Sequence, residues 1–265
     1  LVVDENNLKN VLAAVEKSEI RINALFDRAS DTSPHFVRLQ QLLLAADTVV
    51  VDSLSKISWS SDKATMHLEF IAHGLNTPYT IILPPFDENE DIRLSSEDLA
   101  CLGRPFIIKP ANTTGGGIGV VGGAETLFDV LNTRQEFKKD KYLLQENVNP
   151  LEYEGRRFWF RCIYTCGLIN CLWWDDKTHI YTMLPPQEIE QFNLQSLFTI
   201  TEEIAGICRL SFFSTEIALT TNGNFIIVDY VNESCDMRLQ SRHADGVPDE
   251  IIVNIAGELI NSLIQ

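Results

Sequence analysis

The stretch PFIIKPANTTGGGIGVVGG, residues 105–123, gathers groups that can hold an anion. Lys109 ends an apolar run, Thr113 and Thr114 follow, and six glycines fall within residues 115–123. Glycines let backbone N–H groups approach an anion closely, hydroxyls add donors, and a lysine acts on phosphate oxygens as a point charge. The stretch also contains GIGVVG, a match to the dinucleotide fingerprint G-x-G-x-x-G. That fingerprint needs its first glycine straight after a strand and its last within a helix's first turn. Here PANTT separates the strand from the glycines, Val120-Val121 is β-branched, and Gly122-Gly123 would break a helix. GIGV therefore reads as loop running into strand. No glycine precedes Lys-Ser or Lys-Thr, which excludes a Walker A loop. Two readings stand: a phosphate cradle, or a flexible hairpin tip with a surface lysine.

Other chemistries find no footing. Cysteines 101, 162, 166, 171, 208 and 235 form no C-x-x-C and lie partly in apolar runs, as buried thiols in a reducing compartment would. The five histidines show neither metal-ligand nor triad spacing, and Ser58 and Ser60, beside Trp59, form no G-x-S-x-G elbow.

The elements that must position these groups follow from periodicity. Helical spacing predicts helices over residues 6–17, 34–46, 61–74, 125–131, 200–208 and 248–264, the third capped by Ser60 or Ser61. Short apolar, β-branched runs predict strands over 20–26, 48–51, 79–83, 106–109, 118–121 and 142–145. Residues 157–164 and 168–174 read as a hairpin turning at Cys166-Gly167, and 214–219 and 225–230 as another turning at Asn222-Gly223. Helices alternating with strands over residues 1–55 imply a small β/α unit with a parallel sheet.

A chain of 265 residues has room for two domains or more, and its 45% hydrophobic and 22% charged content is that of a globular protein. No apolar run reaches the roughly 20 residues of a membrane span. The start LVVDENN has no basic or apolar leader, so a cytoplasmic location is expected. A net charge of −16 repels nucleic acid and anionic membranes, and neither is an expected partner.

From about Asp62 to Glu233 the sequence resembles the ATP-grasp superfamily, within it the glutathione synthetase-like and ribosomal-protein glutamate ligase-like branches. Asp62-Lys63 before MHLEFIAHGLNTPYT resembles the family's segment whose lysine reaches nucleotide phosphate. Lys109 in FIIKP matches the second phosphate lysine. Thr114, Gly115, Gly116, Gly117 and Gly119 match the loop that folds over the β- and γ-phosphates. LLQENV is similar to the adenine hinge, with Gln145, Glu146 and Val148 at hinge positions, and Glu154 or Glu152 stands where the ribose acid is expected.

The resemblance implies a metal end in Glu216 and Asp229, with Asn232 as third ligand for Mg²⁺ or Mn²⁺. The family has Glu-x-Asn; here the spacing is Asp-x-x-Asn. Strand alternation would make positions i and i+3 diverge, so either a bulge near Tyr230-Val231 restores convergence or Glu233 or Asp236 substitutes. Arg161, in WFR where related ligases carry Asp-x-Arg, and Arg238, in CDMR, are the expected catalytic arginines, for an acyl phosphate and a substrate carboxylate.

The implied fold is mixed α/β and α+β: two α+β subdomains, 61–147 and 148–265, sandwich the nucleotide after a Rossmann-like unit at 1–60. The implied activity is an ATP- and Mg²⁺-dependent carboxylate–amine ligase, with a homodimer as the expected assembly. An inositol phosphate kinase-like enzyme and a non-catalytic nucleotide-binding protein are the alternatives. Loops around 175–198 and 234–248 are expected to select the substrates.

Overall fold

The computed structural model describes residues 1–88, 92, 94–112 and 117–264. The chain opens with α1 (Leu8–Glu16), β1 (Ala24–Phe26), α2 (Pro34–Ala45) and β2 (Val49–Val51). β1 and β2 pair in parallel, Phe26 opposite Val51, with α2 as the crossover. Leu8, Val11, Leu39 and Leu43 form its small core. Only Val51 of β2 is fully buried; Val49 is exposed. Just beyond β2, one carboxylate oxygen of Asp52 accepts the backbone N–H groups of Ser211 (2.8 Å) and Phe212 (3.1 Å). That contact ties the N-terminal unit to the C-terminal half.

Next come α3 (Leu54–Ser60), absent from the sequence-based expectation, and α4 (Lys63–Ala72). The cap of α4 is Asp62, not Ser60 or Ser61. Its carboxylate accepts from the Ala64 N–H (3.0 Å) and the Thr65 hydroxyl (2.9 Å), and pairs with Lys141. An aspartate there satisfies orphan N–H donors and faces the positive end of the helix.

The first large sheet joins β3 (Thr80–Leu83), β4 (Phe106–Pro110), β5 (Val121–Ala124) and β6 (Tyr142–Glu146), in the order β3-β6-β4-β5, all antiparallel. On one face Leu83, Phe106, Ile108, Tyr142 and Leu144 pack against α5 (Ser96–Leu102) and α6 (Leu127–Thr133). The hairpin expected from 106 to 121 forms, but its second strand starts three residues late. Gly117 and Gly119 (φ +75° and +73°) take up the turn, and Val120 N–H bonds to the Gly117 carbonyl at 3.1 Å. Gly122-Gly123 thereby falls inside β5, an edge strand, where missing side chains cost little packing. The following helix starts at Leu127 rather than 125 because Thr126 and Asp129 form a capping box.

The second large sheet is antiparallel, ordered β11-β10-β9-β12-β13. A small hairpin of β7 (Glu152–Tyr153) and β8 (Arg156–Arg157) precedes it. Its strands are β9 (Trp159–Thr165), β10 (Leu168–Trp174), β11 (Tyr181–Met183), β12 (Phe212–Leu219) and β13 (Phe225–Asn232). Between β11 and β12 lie α7 (Pro186–Gln191) and α8 (Ser196–Cys208); α9 (Asp249–Ile264) ends the chain. Strand alternation splits β9: Phe160 and Cys162 join α4 and α8 in one core, and Ile163 joins α9 in another. Among the described residues no helix is long and apolar enough to cross a membrane.

Removing the cap, Asp62→Ala, deprives Ala64, Thr65 and Lys141 of their acceptor. It is expected to cost about 1–2 kcal/mol, read as a lower urea midpoint at unchanged m-value.

Candidate active site between the two sheets

The faces of the two large sheets turned away from α5, α6 and α8 enclose a cavity of about 1030 Å³. Alternation delivers its walls. In β4, Ile107 and Lys109 point into the cavity while Phe106 and Ile108 point to the core. In β9, Trp159 and Arg161 face it while Phe160 and Cys162 do not.

Lys109 is buried at 6% exposure; its ammonium donates to the Val228 carbonyl (3.0 Å) and sits 5.2 Å over the Tyr230 ring. Burial pulls its pKa down to about 8; Asp229 opposes the shift and Lys63 adds to it. Lys63 opens α4, where the Asp62 cap and a bond from its own N–H to the Ala111 carbonyl (3.1 Å) fix it. Its ammonium lies 3.8 Å from the Asp229 carboxylate. The foot of the glycine-rich loop is held by Asp140, which accepts from the Asn112 backbone (2.9 Å) and side chain (2.8 Å).

Opposite the lysines stand the acids. Glu216 of β12 and Asp229 of β13 are cross-strand partners, as are Ser214 and Asn232. Between these pairs Thr215 alone on β12 faces two residues on β13, so β13 carries an extra residue at Tyr230-Val231. This bulge lets Asp229 and Asn232 both line the cavity despite their i, i+3 spacing, while Tyr230 stays in the core. Glu216 is held by Arg161 and by the Trp159 ring N–H (3.0 Å). Arg161 also donates to the Ser214 hydroxyl (3.1 and 3.2 Å) and lies 5.3 Å over Trp174. Burial pushes the Glu216 carboxyl up, and Arg161 offsets this only in part. Burial acts the same way on Asp229, but Lys63, Lys109 and Arg161 together outweigh it and hold that carboxyl below its usual range.

The expected residues sort clearly. The cavity takes in Lys63, Lys109, Gly117, Gln145, Val148, Arg161, Glu216, Asp229, Asn232 and Arg238. Thr114, Gly115 and Gly116 lie outside the described residues. Gly119 is not on the wall: a Cβ there would stand 2.5 Å from the Phe137 ring, so its role is packing under the turn. The Glu146 side chain turns away to accept the Tyr79 N–H (2.8 Å). Glu154 sits exposed at the β7–β8 turn with φ +51°, and Glu152 pairs with Arg157; neither lines the cavity. Arg238 lines it, but its guanidinium is already clamped by Asp236 (2.7 Å) and Asp245 (2.8 Å).

The structure adds Arg28, Ile107, Arg157, Asp176 and His179 to the wall. Ile107 was readable, two residues before Lys109 on the same strand face. Gln145 proves to be more than a hinge residue. Its amide donates to the Tyr230 hydroxyl (2.9 Å), which in turn pairs with His67 Nδ1 (2.7 Å). Burial and then Lys109 lower the His67 pKa to about 4, so this relay is neutral at pH 7.

Among the described residues no cluster of three His, Cys, Asp or Glu side chains is poised to hold a metal. Mg²⁺ does not need one: it takes one or two carboxylates and fills its shell with phosphate oxygens and water. Asp229, bonded only loosely to Lys63, and its partner Glu216 fit that donor set. Asn232 fits less well, since its Oδ1 accepts the Ser234 N–H at 3.1 Å.

No family model matches the chain, and no curated protein matches it by sequence. Solved structures do match its fold. D-alanine–D-alanine ligase from Bacillus anthracis, complexed with ATP, superposes with a TM-score of 0.64 at 15% identity, covering 96% of this chain and 81% of that one. A RimK domain ATP-grasp protein from Sphaerobacter thermophilus gives 0.59 at 17% identity, covering 98% and 96%. The ATP-grasp ligase PsnB, complexed with a minimal precursor, Mg and ADP, gives 0.55 at 13% identity, covering 96% and 72%. The chain has the ATP-grasp fold, as the resemblance implied.

Arg161→Ala leaves the Glu216 carboxylate buried without its partner and is expected to cost about 3–5 kcal/mol of stability. Arg161→Ala combined with Glu216→Gln should recover part of that loss, because no unpaired charge remains; chemical denaturation of the two variants is the check.

Proposed function

We propose that the chain is an ATP-dependent ligase that joins a carboxylate to an amine through an acyl phosphate. The observation that carries this reading is the facing of two buried lysines and two carboxylates across one cleft of an ATP-grasp fold. Such a cleft suits a polyphosphate. Lys63 and Lys109 neutralise phosphate oxygens, Ile107, Val148 and Val228 offer an apolar seat for a base, and Asp229 with Glu216 would hold Mg²⁺. The ion, when bound, supplies charge neutralisation on the phosphates.

The reaction in this reading balances simply. A substrate carboxylate oxygen attacks the γ-phosphorus; the new O–P bond forms as the bond to the β-phosphate oxygen breaks, and ADP leaves. The amine nitrogen then attacks the acyl carbon, the C–N bond forms, phosphate departs with the acyl C–O electron pair, and the nitrogen loses a proton to solvent. Nothing in this scheme asks the protein for a nucleophile. Its work is positioning and charge stabilisation.

A kinase acting on a highly phosphorylated substrate would need a cluster of free arginines. Here Arg156 is engaged by Glu188, Arg157 by Asp176 and Glu152, and Arg238 by Asp236 and Asp245. The cleft thus gives little support to that alternative.

A non-hydrolysable ATP analogue with Mg²⁺ is expected to raise the melting temperature by mass action. Lys109→Ala should abolish that rise, and Asp229→Asn should remove its dependence on Mg²⁺. No rise at millimolar analogue would sink the reading. Phosphate release that requires both an acid and an amine would mark a ligase, whereas release without an amine would not.

The pH dependence has a definite sign. Lys109 has a folded pKa of about 8, below its usual 10.5, because burial disfavours its charge. Between those values the unfolded chain binds more protons, so this group makes the free protein more stable as pH rises. An anionic nucleotide restores the charge, so binding should take up a proton near pH 8 and weaken as pH rises through it. Calorimetric titration in two buffers of different ionisation enthalpy reads this directly.

A further inference from the structure

Six basic and five acidic side chains of the described residues line the cleft. Five of the six cations are already engaged. Lys63 faces Asp229, Arg157 holds Asp176, Arg161 holds Glu216, and Arg238 is clamped by Asp236 and Asp245. Lys109 is anchored on the Val228 carbonyl and feels Asp229. Arg28 is the exception: among the described residues its guanidinium has no ion pair and no hydrogen-bond partner.

Arg28 is exposed to solvent, but the turn that carries it is fixed. It follows β1 in a turn organised by Asp27, whose carboxylate accepts from the Ala29 and Ser30 N–H groups (both 3.0 Å), the Ser30 hydroxyl and the Gln40 amide. The Asp27 N–H is in turn bonded to the Val51 carbonyl at 2.8 Å. The guanidinium carbon sits 5.9 Å from the rings of both Phe26 and Phe212, which meet edge to face at 5.4 Å. Its charge is felt at Cys235, on the segment just past Asn232. Arg28 therefore stands at the acidic end of the cleft, on the one unit outside the two large sheets. A guanidinium backed by two aromatic rings and aimed into a cleft with its donors unused is suited to a planar, bidentate anion.

We propose that Arg28 determines substrate specificity by holding a carboxylate that takes no part in bond formation, so that the substrate is a small dicarboxylate. This rests on the ligase reading above. In this proposal the carboxylate on Arg28 is not the reacting one, because a guanidinium that binds both oxygens lowers their nucleophilicity toward phosphorus. A substrate with one carboxylate at the phosphate end and a second at Arg28 satisfies both requirements and supplies the unmatched cation with a partner.

The same anionic chemistry could come from a nucleotide phosphate, and the test separates the two sources. Wild type, Arg28→Ala and Arg28→Lys are titrated by thermal shift with a non-hydrolysable ATP analogue and Mg²⁺. To the saturated proteins are then added succinate, glutarate or L-glutamate, with acetate and inorganic phosphate as controls. At least one dicarboxylate is expected to raise the wild-type melting temperature further. Its apparent Kd should weaken at least about tenfold in Arg28→Ala, the loss expected for one charge-assisted contact, and recover in part in Arg28→Lys. All three proteins should keep the wild-type response to the nucleotide. The proposal is overturned if no dicarboxylate shifts the wild type, if its shift survives Arg28→Ala, or if Arg28→Ala weakens the nucleotide or phosphate response instead. A wild type that does not respond to the nucleotide overturns the ligase reading and this proposal with it; a normal nucleotide response with a failed dicarboxylate arm overturns this proposal alone.

Discussion

Two ammonium groups, Lys63 and Lys109, are buried on one side of a cleft, and the rest of the site follows from keeping them there. Burial disfavours the charge on Lys109, and the neighbouring charge of Lys63 adds to that cost. What makes the arrangement tolerable is the carboxylate pair on the facing sheet. Asp229 lies 3.8 Å from Lys63 and its charge also reaches Lys109. The balance is incomplete, since the pKa of Lys109 still falls to about 8. That residual deficit of negative charge is what an anionic ligand would fill.

The carboxylates impose demands of their own. The Glu216 side chain is less exposed than that of Asp229, and burial without a partner would favour its protonated form. Arg161 and the Trp159 ring N–H hold it, and Arg161 is itself steadied by Ser214 and Trp174. The bulge in β13 then turns Asp229 and Asn232 to the same side while leaving Tyr230 in the core, where it bridges His67 and Gln145. One irregularity in a strand thus serves both the cleft and the packing behind it. A net charge of −16 is a property of the whole chain, and the cleft escapes it, because nearly every acid on its wall has a basic partner.

Much of this was legible in the residue order. Period-two alternation in FIIKP assigns Phe106 and Ile108 to a core and Lys109 to the other face, and alternation is a property of the extended backbone itself. The Cys166-Gly167 and Asn222-Gly223 turns set the two hairpins, because few residues accept the backbone twist such turns require. Local chemistry misled where two neighbours could serve one role. Asp62 rather than a serine caps α4, and the glycines of 117–119 use up the turn so that β5 starts late.

The sequence by itself therefore determined the two hairpin turns and the alternating faces of their strands, which depend on residues within a few positions along the chain, while the two lysines and the two acids were marked by the family resemblance. Only the tertiary structure decided which charges were already spent. Arg238 looks free in CDMR but is clamped by Asp245, seven residues on. Arg161 and Glu216, 55 residues apart, neutralise one another across neighbouring strands. Arg28, which carries no motif, reaches the cleft because the N-terminal unit docks through Asp52 on Ser211 and Phe212. Whether a charge is available depends on what lies within a few ångströms of it, and chain order does not encode that distance until both sheets have packed.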